Sequence, residues 1–208
     1  MAKRRTPEEA RELLMDSAET LFGQRGPDAV ALRDVAREAG VSHGLITHYF
    51  ETFDGLVEAV LARRARRIAA DVVARLQRAA GAPIANELVT TLLAAVSEPA
   101  HLRLVAWAVL SGRWQSLDFL PSKQHGLRAI ADTVHAAATR RAEAAGVRPP
   151  SMEDVDYAIV LALSATYGYG LGKAVFFRAL ARKPGKHTDA EVMQRLGAML
   201  LGSVSGGR

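Results

Sequence analysis

Five residues in the run HGLITH could meet a partner through chemistry rather than packing: His43, Gly44, Leu45, Thr47 and His48. At helical spacing they share an outer side, while Ile46, Tyr49 and Phe50 fall on the inner side. An imidazole at His43 can donate to a purine acceptor. Gly44 allows a foreign surface to come close to the backbone, and Leu45 offers apolar contact alone. This set suits the reading of a surface and does not suit bond making. His43 and His48 lie five apart, off one helical face, with no carboxylate to complete a metal site. The chain has no cysteine, which removes disulfides, thiolate zinc sites and cysteine nucleophiles. The GYGLG run at Gly168 has no strand before it and no GKS or GKT after it, so it is no phosphate loop. No nucleophile elbow or kinase set is present. The expectation is no catalytic residue, no metal and no cofactor.

Two short helices must hold those outward residues. Leu32, Val35, Ala36 and Ala39 recur at i, i+3, i+4 and i+7, one apolar face of a first helix. Gly40 follows where a left-handed residue would stop it. Val41 can plug the corner, and Ser42 can cap the next helix by accepting a free backbone N–H. Ala36 is small where the two helices must cross closely. This is the spacing of a helix-turn-helix, whose second helix fits a DNA major groove. An ordinary surface hairpin of two amphipathic helices has the same pattern.

The flanking chain is helical too. Thr6, Pro7 and Glu9 make a capping box, and Ala10, Leu13, Leu14, Ala18, Leu21 and Phe22 form the buried stripe of a helix that Pro27 closes off. Thr52 can cap a long helix running from Leu56 through Leu76 toward Gly81. Beyond it, apolar helices follow one another to the end. Ser151 and Asp154 form a second capping box, opening a segment apolar nearly all round, in which Gly168, Gly170 and Gly172 are expected to weaken or bend the helix. Apolar residues make up 49% of the 208, few β-branched runs occur, and the fold class is all-α. The net charge of +5 permits a polyanionic partner without demanding one. The polar start predicts no signal peptide, and the apolar run Tyr157–Leu171 is short of the ~18 residues of a bilayer span, so a cytoplasmic protein with no membrane partner is expected.

The order of a capped helix, a Gly–Pro break, LRDVAREAGVSHGLITHYF and a capped long helix carrying GLVEAVL resembles the N-terminal part of the TetR family of bacterial transcriptional regulators. The likeness covers about residues 6–62 and is one of helical architecture beyond. It implies a three-helix DNA-binding helix-turn-helix domain over residues 1–52 and a ligand-binding and dimerisation domain over 53–208. It further implies a homodimer through the last two helices and a repressor released from a palindromic operator in double-stranded DNA by a small-molecule effector. DNA contacts then fall to Arg33, Ser42, His43, Gly44, Leu45, Thr47, His48 and Tyr49, with Arg4 and Arg5 in a basic arm that can reach phosphates or the minor groove. Tyr49 can equally pack beneath the helix. An effector cavity in the body would draw on Trp107, Arg113, Trp114, Phe119, His125, His135, Tyr157 and Tyr167, each of which can instead be core or surface.

Three positions depart from the family. Thr47 stands where an aromatic residue is usual, Phe53 where a phosphate-binding lysine is usual, and Ala31 where Thr or Ser commonly caps the second helix. Phe53 supports a competing reading, a helical small-molecule-binding protein or enzyme with a vestigial DNA-binding head. A helical adaptor pairing through its apolar helix is a third.

Overall fold

A computed structural model describes residues 6–78, 84–111 and 126–205, and these are helical with no strand among them. The helices are α1 (Pro7–Arg25), α2 (Leu32–Glu38), α3 (His43–Phe50), α4 (Phe53–Arg78), α5 (Ile84–Val96), α6 (Pro99–Leu110), α7 (Leu127–Ala145), α8 (Met152–Ala179) and α9 (Thr188–Ser205), with a single 3₁₀ turn at Pro27–Ala29. The caps read from sequence form. Thr6 and Glu9 exchange hydrogen bonds at 3.2 and 2.8 Å, and the Thr52 hydroxyl accepts from the Gly55 N–H at 3.0 Å.

Packing divides the chain into two units. The first takes the described residues of Met1–Ala65 and Pro99–Pro121, and the second those of Arg66–Glu98 and Ser122–Arg208. The division expected at residue 52 concerned function; packing also gives the first unit the start of α4 and the helix α6.

In the first unit Leu14, Met15, Ala18, Leu21 and Phe22 of α1 bury against Val35, Ala36, Ile46 and Phe50 of the corner, Leu56, Val57, Val60 and Leu61 of α4, and Leu104 and Ala108 of α6. Each such aliphatic side chain contributes roughly 1.5–3 kcal/mol by leaving water. Arg63 of α4 is also buried here. Its guanidinium lies 2.7 Å from Glu12, 2.8 Å from Asp16 and 3.0 Å from Glu19, all on α1. One cation thus fastens α1 to α4 through three carboxylates.

His101 of α6 is buried in the same unit, and its pKa is pushed down to about 4, first by loss of water and then by the charge of Arg64. The neutral ring is therefore the folded form. As pH falls below the usual 6.5, the unfolded chain binds a proton that the folded chain refuses, so stability declines between pH 6.5 and about 4. Urea unfolding at pH 7 and pH 4.5 should show a larger loss for the wild type than for His101→Gln. Equal losses would show that this ring does not govern acid sensitivity.

The second unit gathers Val72 and Leu76 of α4, Leu88, Val89 and Leu92 of α5, Ile130 and Val134 of α7, Val155, Ile159 and Ala162 of α8, and Met193 and Leu200 of α9. Ion pairs close its seams. Arg128 of α7 binds Asp156 of α8, and Lys173 of α8 lies 3.1 Å from Asp189 of α9. Tyr169 donates its hydroxyl to the same Asp189; burial, and then that carboxylate, raise the phenol's pKa.

α8 corrects one expectation. It is a 28-residue helix that runs unbroken through Gly168, Gly170 and Gly172, and by length and composition it is long and apolar enough to cross a membrane. The uncharged stretch itself, residues 157–172, stays short of the ~18 residues of a span, and the helix reaches that length only with Asp156 or Lys173 counted in. Asp156 and Lys173 bound its uncharged stretch.

Candidate nucleic-acid interface

The corner is built as the residue types require. α2 stops at Ala39, and Gly40 takes φ +66°, the left-handed region in which a Cβ is disfavoured. The Val41 N–H then donates to the Ala36 carbonyl at 2.9 Å, which turns the chain back. Ser42 caps α3, its hydroxyl accepting from the Leu45 N–H at 3.3 Å. At the head of α2, Ala31 cannot cap. Asp34 supplies half of the usual exchange by accepting from the Ala31 N–H at 3.0 Å. That bond, before the nearby arginines, holds the Asp34 carboxyl below its ordinary pKa.

α3 buries Ile46 and Phe50 and turns His43, Gly44 and His48 to solvent. Leu45, Thr47 and Tyr49 are half-buried. The Thr47 hydroxyl shares its proton between the His43 and Gly44 carbonyls, both at 3.1 Å. Tyr49 packs on the first unit's core and meets His48 edge-on at 5.3 Å. Arg11 of α1 stacks over the Phe50 ring at 5.4 Å, pinning the far end of α3. A Cβ built on Gly44 would meet nothing within 4 Å. No packing inside the chain calls for glycine there, although glycine weakens a helix by about 1 kcal/mol relative to alanine. The gap faces outward and suits close approach by something outside the protein.

Arg33, at the start of α2, is exposed and has no ion-pair partner among the described residues. Its neighbour Arg37 is engaged by Asp34 at 2.8 Å. Arg33 and His43 border an open depression of about 380 Å³ with Val30, Ala31, Leu32 and Phe53. A cation, an imidazole and an apolar floor therefore stand together beside the outward edge of α3, an arrangement able to meet a phosphate and the sugar or base next to it.

The positions read from sequence separate into three groups. Arg33, Ser42, His43, Gly44, Leu45, Thr47, His48 and Tyr49 come together on the α2–α3 corner. Arg4, Arg5, Arg113, Trp114, Phe119 and His125 lie outside the described residues. Of the candidate effector residues that remain, Trp107 sits edge-on to Phe53 at 6.5 Å in the first unit, while Tyr157 and Tyr167 belong to the second. Tyr157 is 61% exposed and donates to Glu153 of its own helix, so it faces outward. His135 bonds the Pro150 carbonyl at 3.2 Å and serves the α7–α8 connection. Aromatic residues at helical spacing signal burial or contact, but spacing does not say on which surface.

Phe53 is the position whose role sequence reasoning missed. It meets Phe22 at 5.8 Å and Trp107 at 6.5 Å, both edge-on, and so joins α1, α4 and α6. The departure from lysine is accounted for by packing. Its flanking Phe22 and Trp107 were legible as aromatics, but nothing along the chain connects residues 22, 53 and 107.

Residues 14–60 match the profile described as "Bacterial regulatory proteins, tetR family". An HTH-type transcriptional repressor of Mycobacterium tuberculosis is 44% identical over 54 residues, 26% of this chain and 29% of that protein. The HTH-type transcriptional regulator BetI of Cronobacter sakazakii is 30% identical over 115 residues, 55% of this chain and 54% of that one. Neither match reaches two thirds of its relative's length. The fatty acid degradation regulator FadR of Bacillus halodurans has a similar fold, with a TM-score of 0.65 at 12% identity over 96% of this chain and 97% of that one. The helix-turn-helix segment, residues 14–60, is thus similar to the bacterial regulatory proteins of the tetR family, and along nearly its whole length the chain shares the fold of FadR.

Proposed function

We propose that this protein is a homodimeric, sequence-specific DNA-binding regulator that represses from a palindromic operator in the bacterial cytoplasm and is released by a small-molecule effector. The observation that carries the reading is the outward edge of α3, where His43 and Gly44 are exposed and open beside the unpaired Arg33. His43, Gly44 and Leu45 would enter the major groove and read base edges, while Arg33, Ser42, Thr47, His48 and Tyr49 would hold the flanking phosphates and thymine methyls. The arm bearing Arg4 and Arg5 would add phosphate or minor-groove contacts.

Repression needs two heads about one helical turn apart, ~34 Å, to read two half-sites. The support for a second copy is α8, which exposes Tyr157, Val160, Leu161, Leu171, Val175 and Phe176, with Met199 of α9 exposed as well. An effector that favoured a head spacing mismatched to the operator would lower DNA affinity by its differential affinity for the two arrangements. The effector reading rests on kinship with regulators. Trp107 and Tyr157 are poor candidates for its site, one held in the first unit's aromatic cluster and the other turned to solvent.

Selection from a random DNA pool tests the whole reading, since it reports binding and half-site spacing together. A palindrome should emerge. No enrichment in moderate salt would refute operator binding. On the selected site, Arg33→Ala should weaken binding and lower the slope of log affinity against log salt by about one, the loss of a single phosphate neutralisation. An unchanged slope would remove Arg33 from the phosphate contacts.

A further inference from the structure

The turn between α8 and α9 concentrates charge. Arg178, Arg182, Lys183 and Lys186 follow closely on one another, and no Asp or Glu stands between residues 157 and 188. Their four charges are close to the whole net charge of +5, so the rest of the chain is nearly balanced. Residues 178–187 are all exposed, and none of the four cations has an ion-pair partner among the described residues. Lys173, by contrast, is held by Asp189. Glu191 lies beyond, in the first turn of α9, where its charge suits the positive helix end. Arg178 suits the negative end of α8 in the same way. The helix dipole does not account for Arg182, Lys183 and Lys186. They stand past the last turn, within which its effect fades.

The backbone holds this turn in one shape. The Arg182 N–H donates to the Phe177 carbonyl at 2.8 Å and the Ala181 N–H to the Arg178 carbonyl at 3.0 Å, closing the end of α8. The Gly185 N–H donates to the Thr188 hydroxyl at 2.7 Å where α9 opens. Two bulky apolar side chains stand among the cations, four residues apart: Phe176 is 55% exposed and Leu180 is 67% exposed. Leu180 comes after Ala179, the last residue of α8.

This surface has two chemistries. Duplex nucleic acid answers one of them, since its phosphates neutralise Arg and Lys but give leucine no apolar medium. An anionic bilayer surface answers both. Headgroup phosphates meet the cations, and the boundary of the acyl chains takes the apolar side chains. The expectation of no membrane partner concerned a spanning segment, and contact with a bilayer surface needs no span.

We propose that the α8–α9 turn docks on an anionic phospholipid surface, with Arg178, Arg182, Lys183 and Lys186 at the headgroups and Phe176 and Leu180 at the acyl boundary. The surface uses no residue of the α2–α3 corner, and the inference does not rest on the reading of that corner.

Co-sedimentation of the full-length protein with vesicles tests it. Vesicles of phosphatidylglycerol and phosphatidylcholine should bind the protein, less as salt rises. Phosphatidylcholine alone should bind it about tenfold more weakly or worse. Arg182→Gln, Lys183→Gln and Lys186→Gln together should weaken binding to the mixed vesicles about a hundredfold, each cation carrying roughly a fivefold share. Arg66→Gln, Arg140→Gln and Arg148→Gln together remove the same charge from other exposed positions and should leave binding close to the wild type. Leu180→Asn should weaken it about threefold without changing the salt dependence. Urea midpoints confirm that each variant is folded. Equal losses in the two triple variants would make bulk charge the cause and overturn the proposal. So would absence of wild-type binding, or full binding by the variant of the turn. A wild type that ignores vesicles, with a turn variant that binds random duplex DNA more weakly, would give the turn to nucleic acid and overturn it equally. Arg33→Ala should bind vesicles as the wild type does, so this result and operator selection can fail independently.

Discussion

Gly44→Leu is expected to reduce operator affinity about a hundredfold or more while leaving stability to urea unchanged or slightly raised. The first half follows from placement. Gly44 lies on the exposed start of α3 between His43 and Leu45, so a leucine there lifts the helix away from a base-pair edge. Base contacts of about 1–3 kcal/mol each are then lost together. The second half follows from the open space at its Cβ position and from leucine's better helix propensity. Fluorescence anisotropy on the selected operator, beside a urea titration of the same preparation, separates the two. Full binding by a folded Gly44→Leu protein would mean that α3 does not enter the groove, and the regulatory reading would lose its main support. Gly44→Ala is the milder companion and should weaken binding less.

Arg63→Met should lower stability by about 2 kcal/mol. Arg63 is 3% exposed, and its removal leaves Glu12, Asp16 and Glu19 facing one another across a vacated site. The loss should fall short of that for a fully buried pair, because Glu12 and Asp16 remain in contact with water. Replacing the carboxylates as well, in Glu12→Gln, Asp16→Asn, Glu19→Gln and Arg63→Met together, should recover most of the loss, since repulsion and not the missing cation then dominates. Urea midpoints of the wild type, the single variant and the quadruple variant decide the matter. A quadruple variant no more stable than the single one would place the effect in packing of the Arg63 stem.

That cage shows how far a sequence can be read. Glu12, Asp16 and Glu19 recur at i, i+4 and i+7, an acidic stripe on one face of α1, and Arg63 stands in a basic run with Arg64, Arg66 and Arg67. Both halves are visible, but each looks like a solvated face. Only the crossing of α1 on α4 selects one arginine from four and buries it. The same holds for Phe53, which reads as a lost phosphate contact until Phe22 and Trp107 arrive beside it.

The corner is different, because its causes are local. Gly40 stops a helix, Ser42 starts one, and the 3.6-residue period of Leu32, Val35, Ala36, Ile46 and Phe50 states which side turns inward. Every step spans a few residues, so residue order alone determined the helix-turn-helix, the all-helical class and the exposure of His43, Gly44 and His48, while Leu45 and Thr47 of the same outer set are half-buried. Tertiary structure alone decided which side of α8 stays uncovered and that Trp107 serves the first unit. A helix apolar nearly all round carries no period to mark its free side, so the side left bare depends on which neighbours the fold brings against the other.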